Sequence, residues 1–176
     1  MTIEQDKTLK ALQIAIQMEI DGKEYYLKAS RESRSELGKK LLASLADEED
    51  THRQKFEWIY DAIRNTRKWP AIEFQPDEGK NLKTIFAKAT EKPGSNIKTS
   101  ATELDAIKTA MDMENKTYDL YKSRGRNASY DAEKDFYETL AAEEREHYLV
   151  LLDYYEYLKD PGGWSVKREH PSLDGG

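Results

Sequence analysis

The residues Gly38, Leu42, Leu45, Glu49, His52, Phe56, Ile59 and Ile63 follow one another at alternating steps of four and three. That spacing holds them on one face of an α-helix and makes a seam of the kind that packs inside a helix bundle. A second seam runs through Glu133, Tyr137, Leu140, Glu144, His147, Leu151, Tyr154 and Leu158, and each of its numbers is the first seam's plus 95. The segments ahead of the seams correspond at the same offset, with Leu9, Leu12, Ile16, Glu19 and Tyr26 matching Leu104, Ile107, Met111, Glu114 and Tyr121. Aligned without a gap, residues 5–64 and 100–159 share 14 identities in 60. Chance gives only a few, so the chain is an internal duplication.

Each repeat predicts a helical hairpin, with turns near residues 33–35 and 125–129. Proline and glycine gather between the repeats, at Pro70, Pro76, Gly79, Pro93 and Gly94, so residues 66–98 read as a crossover. Inside it Leu82, Ile85, Phe86 and Ala89 predict one short amphipathic helix over 80–92. Residues 161–176 have no periodicity and read as a tail appended to a bundle spanning 1–160. Four helices with one long central connection predict an all-α fold of ferritin-like four-helix bundle topology.

Six polar residues interrupt the middle of the apolar seams: Glu19, Glu49, His52, Glu114, Glu144 and His147. Glu19 and Glu49 are 30 residues apart, as are Glu114 and Glu144, so each hairpin sets a lone Glu opposite a Glu-x-x-His pair. The i, i+3 spacing puts carboxylate and imidazole on one helical face. Burying four carboxylates together is strongly unfavourable unless positive charge accompanies them. Two divalent cations supply that charge, and two neutral imidazoles complete the coordination. A single Glu-x-x-His is common on helices; two copies in register, each with its partner Glu, point to a paired metal site.

Composition narrows the chemistry. The 176 residues carry a formal charge of −6, which argues against a nucleic-acid surface. There is no cysteine, which removes disulfides, zinc thiolates, iron–sulfur clusters and thiol catalysis. An oxygen-rich ligand set with one imidazole per metal suits iron, with manganese the alternative. No run approaches a membrane span and the start, MTIEQDKTLK, lacks the apolar core of a secretory signal, so a cytoplasmic protein without membrane or nucleic-acid partners is expected.

The chain resembles the rubrerythrin-like branch of the ferritin-like superfamily, over nearly its whole length. The resemblance rests on IAIQMEIDGKEYY around Glu19, LADEEDTH ending at His52, IKTAMDMENKTYDLY around Glu114, LAAEEREH ending at His147, and the tail DPGGW…EHPSLDG. It implies two iron ions, with Glu19, Glu49 and His52 facing one and Glu114, Glu144 and His147 the other, Glu49 and Glu144 bridging and Glu19 and Glu114 terminal. It implies peroxidase-type reduction of hydrogen peroxide or dioxygen in oxidative-stress defence, and pairing as a homodimer. Ferroxidase action in iron handling is the alternative. Rubrerythrins proper carry a cysteine-ligated rubredoxin domain; without cysteine, the electron donor here is expected to be external, such as a rubredoxin-type protein. Thr117 stands where the best-known members carry an additional Glu that takes part in a peroxide-linked iron shift.

Several further residues have two readings. Tyr26 and Tyr121 are either core residues or hydrogen-bond donors to the terminal carboxylates. Glu48 and Glu143, one position off the seams, orient ligands or face water. Gly22 and its counterpart Thr117 serve helix packing or leave room for an oxidant beside the metals. His170, in the tail, is not expected to be a ligand.

Overall fold

A computed structural model describes residues 3–72, 75, 77–91 and 100–164. They form five helices in the order α1 (Ile3–Glu32), α2 (Glu36–Thr66), α3 (Lys80–Thr90), α4 (Ala101–Arg126) and α5 (Asp131–Lys159), with no strand among the described residues. The all-α bundle, its two hairpin turns and the short crossover helix stand where periodicity put them. His170 and most of the tail lie outside the described residues.

Local chemistry starts and stops the helices. The Ser35 hydroxyl accepts from the Gly38 amide at 2.8 Å and opens α2, and Arg67, in the left-handed region at φ 59°, closes it by donating its amide to the Ile63 carbonyl at 2.8 Å. Ser100 caps α4 through the Glu103 amide at 3.2 Å. Entry to α3 needs a left-handed residue, and Gly79 supplies it at φ 67° without the steric cost a side chain would add.

The long helices pair within repeats, α1 on α2 and α4 on α5, and the hairpins meet through α1 against α4 and α2 against α5. Helix α3 lies on α2 and α5 and buries Leu82 and Phe86. Just past α5, residues 161–164 add one helical turn, and Trp164 packs edge-on against Phe86 with ring centres 5.4 Å apart. The beginning of the tail is therefore packed.

Two separate apolar clusters form. One contains Tyr26, Leu41, Leu42, Leu45, Ile107 and Leu151; the other contains Leu12, Phe56, Ile59, Tyr121, Tyr137 and Leu140. Each draws on all four long helices, and duplicated positions such as Leu45 and Leu140 fall in opposite clusters. The hairpins are thus related by an approximate two-fold, and the polar residues of the seams lie between the clusters.

Candidate metal centre

Each long helix contributes to this polar layer: Glu19 from α1, Glu49 and His52 from α2, Glu114 from α4, Glu144 and His147 from α5. All six sequence-predicted residues come together, and none is more than 4 % exposed. They form two overlapping groups whose ligand atoms lie within 4.8 Å of one another: Glu19, Glu49, His52 and Glu144, and Glu49, Glu114, Glu144 and His147. Glu49 and Glu144 belong to both.

The imidazoles stack with ring centres 5.7 Å apart and planes 15° from parallel. Nδ1 of His52 lies 3.5 Å from Glu19 Oε2 and 3.3 Å from Glu144 Oε1. Nδ1 of His147 lies 3.3 Å from Glu49 Oε1, 3.4 Å from Glu144 Oε2 and 3.6 Å from Glu114 Oε2. Neighbouring donors around an octahedral cation with bonds of roughly 2.0–2.6 Å stand about 2.8–3.7 Å apart. The donor spacing fits such a cation. So does the bonding state of the atoms: among the described residues, Glu19 Oε2, Glu49 Oε1, both Glu144 oxygens and His147 Nδ1 are buried without a hydrogen bond. Buried polar atoms left so are costly unless something else satisfies them. The residues present fit a pair of cations.

Outward-facing atoms of the same groups are held by neighbours. The Tyr26 hydroxyl donates to Glu114 Oε1 and the Tyr121 hydroxyl to Glu19 Oε1, so each tyrosine bonds the lone Glu of the other repeat. His147 Nε2 meets Glu48 Oε2 at 2.8 Å, the carboxylate–imidazole arrangement that fixes a ligating ring. Glu48 is half-buried; Glu143 is buried, and its Oε1 accepts from the Glu78 amide at 3.0 Å. Both residues off the seams therefore support the site's surroundings rather than face bulk water.

Without metal, burial and charge contacts shift most of the layer toward its protonated forms. Burial, reinforced by neighbouring carboxylates, pushes Glu19 and Glu114 well above the usual carboxylate range. Burial opposes protonation of His52 and His147, but the carboxylates around them outweigh it and raise both. Burial alone would raise Glu144 too, yet the two imidazoles 3.3 and 3.4 Å from its oxygens carry it below the usual range. Nearby basic residues are engaged elsewhere: Lys23 and Arg53 both bond Asp50 at 2.9 Å and lower it to about 2.

Gly22 has a role that spacing alone did not define. A Cβ built there would stand 2.8 Å from Glu49 Oε2, so the missing side chain is what lets that carboxylate lie against α1. Gly22→Ala should leave the fold intact, gaining up to roughly 1 kcal/mol from helix propensity. It should also displace the Glu49 carboxylate and weaken metal uptake. Melting curves and metal titrations should therefore move in opposite directions; unchanged metal affinity would contradict this placement.

Comparison with protein families matches residues 10–155 to Rubrerythrin, a span that includes every residue of the polar layer. Among curated proteins and among solved structures nothing matches. With the match covering most of the sequence, and the duplicated Glu and Glu-x-x-His residues inside it, the chain belongs to the rubrerythrin family.

Proposed function

We propose that this chain is a non-haem di-iron oxidoreductase that reduces hydrogen peroxide or dioxygen with electrons from an external donor. The observation that carries the reading is the sharing of Glu49 and Glu144 between two otherwise distinct ligand groups, which suits a pair of metals rather than one. His52 with Glu19 would hold one ion, His147 with Glu114 the other, and Glu49 and Glu144 both. When bound, a ferrous pair supplies two electrons to the oxidant, and iron is favoured over manganese by the family.

This chain's residues do the rest. Tyr26 and Tyr121 fix one oxygen of each terminal carboxylate, leaving the other oxygen aimed into the layer. Glu48 holds the His147 ring through Nε2 and keeps Nδ1 turned inward. The apolar clusters on either side exclude water from the reacting centre. Residues 1–160 act as the metal-binding unit, with 161–176 as its tail. A homodimer in the cytoplasm, defending against oxidants, is the setting proposed for it.

The test is to load the protein with ferrous iron under anaerobic conditions and mix it with peroxide and, separately, with dioxygen. Rapid iron oxidation by one of them, repeated when a reductant is supplied, is the expected result. Iron that is oxidised but released or accumulated, without repeated turnover, would favour ferroxidase-type iron handling instead. Failure of both oxidants to react would end the oxidoreductase reading.

A further inference from the structure

The two repeats part company around the tyrosines. Near Tyr26 the positions equivalent to Phe56, Phe136 and Tyr137 are filled by Leu151, Leu41 and Leu42, all buried. Leucine thus packs this fold well enough, and packing does not require three aromatic rings on the Tyr121 side. There, Tyr121 lies 5.9 Å from Tyr137, and Tyr137 lies 6.0 Å from Trp69, measured between ring centres. Phe56 closes the cluster at 5.4 Å from Tyr121. Trp69 follows the end of α2 and is only partly buried; its Nε1 has no hydrogen-bond partner among the described residues, and its ring packs on Phe136 and Tyr137. A continuous line of rings therefore runs from Glu19, through the Tyr121 hydroxyl, to the edge of the bundle.

We propose that Tyr121, Tyr137 and Trp69 form a relay that carries one-electron oxidising equivalents from the metal centre to the protein surface. The inference rests on the oxidoreductase reading, with hydrogen peroxide as the oxidant. One equivalent of peroxide would take both electrons of a ferrous pair, so the relay acts when peroxide in excess oxidises the centre further: Tyr121 then gives up one electron to it and its phenolic proton to Glu19 Oε1, leaving a neutral tyrosyl radical. An electron then passes from Trp69, across the Tyr137 ring, to Tyr121, which takes its proton back from Glu19. Trp69 is left one electron short, and a one-electron reductant in solution restores it. Aromatic side chains in water give up electrons far more readily than they accept them, so the line conducts oxidising equivalents outward. It does not conduct electrons inward from a strongly reducing donor. The effect is to spare the buried ligands when reductant is scarce.

The other tyrosine has a poorer exit. Tyr26 meets Tyr25 at 6.1 Å, but the Tyr25 hydroxyl donates to the Ala106 carbonyl at 2.7 Å, an acceptor too weakly basic to take the phenolic proton. Oxidation of Tyr25 is correspondingly hindered.

The test uses the full chain loaded anaerobically with ferrous iron, then given hydrogen peroxide in several-fold excess over the iron pair without reductant. Iron oxidation is followed by absorbance, radicals by freeze-quench electron paramagnetic resonance, and modified residues by peptide mass mapping. Trp69 should collect oxidation several-fold above Trp58, although Trp58 is 52 % exposed and would be struck first by oxidant from solution. In Tyr121→Phe, Trp69 oxidation should fall to the level of Trp164. In Trp69→Phe, which leaves the metal layer untouched, the tyrosyl signal should last several-fold longer. Oxidised iron with Trp58 or Tyr25 modified as much as Trp69, or a tyrosyl lifetime unaltered by Trp69→Phe, overturns the relay while leaving the oxidoreductase reading intact. Iron that peroxide does not oxidise overturns the relay, and the oxidoreductase reading falls with it only when dioxygen also fails to react.

Discussion

Glu144→Ala should bind no metal pair and should also be destabilised as the metal-free protein. Both imidazoles lean on this carboxylate, His52 Nδ1 at 3.3 Å from Oε1 and His147 Nδ1 at 3.4 Å from Oε2. Removing one partner from a buried charged network costs about 3 kcal/mol or more, because the remaining charges stay buried. Glu114→Gln provides the contrast. Burial and the neighbouring carboxylates push Glu114 toward its protonated form in the metal-free protein, and a neutral amide imitates a protonated carboxyl, so the apo variant should lose less than about 1 kcal/mol. It should still bind metal poorly, since the amide cannot ionise. Denaturant unfolding of the two apo variants, beside their metal stoichiometry, checks both statements. A Glu144→Ala protein that keeps two metals would remove Glu144 from the site.

The second large effect is an exchange of protons for metal. Glu19, Glu114, His52 and His147 are all displaced toward their protonated forms in the metal-free layer. Ligating carboxylates and imidazoles must shed those protons, so uptake of a metal pair should release up to four. Each proton displaced steepens the logarithm of affinity by about one per pH unit.

Apo stability should move the other way. Raised histidines contribute stability that is complete below their ordinary pKa of about 6.5 and lost as pH climbs through their folded values. For the raised Glu19 and Glu114, ionisation inside the fold is unfavourable, so stability also declines as pH rises above about 4.3. Glu144 has the opposite sign, its contribution present above about 4.3 and lost progressively as pH falls below that. Melting temperatures taken between about pH 6 and pH 9 should fall for the apo protein and rise for the metal-loaded one. Parallel trends for the two forms would contradict the proton-filled layer.

How far the sequence foretold this depends on which interactions are local. The six polar residues were legible because a helix repeats about every 3.6 residues, so one polar interruption of an apolar seam has a definite face and height. Duplication then set the two halves at equal height. Contacts between hairpins were harder to foresee. That Tyr26 serves Glu114 and Tyr121 serves Glu19 depends on how α1 meets α4, and intra-repeat spacing carries no information about that. Likewise, Gly22 read either as helix packing or as room for an oxidant, whereas the space beside it is filled by the Glu49 carboxylate from the neighbouring helix. The pairing of Glu48 with His147 spans the two repeats and was visible only as an acidic residue beside a seam. Tyr137 read only as a core position of the second seam and Trp69 was not singled out; comparison of Tyr137 with Leu42 at the duplicated position was the available signal.

The central claim is that one buried layer holds two metals through shared Glu49 and Glu144. Anomalous diffraction from crystals of the iron-loaded protein tests it most directly. Two peaks between α2 and α5, each beside one histidine and both in reach of Glu49 and Glu144, are predicted. A single peak, or iron bound away from the six residues, would contradict the account.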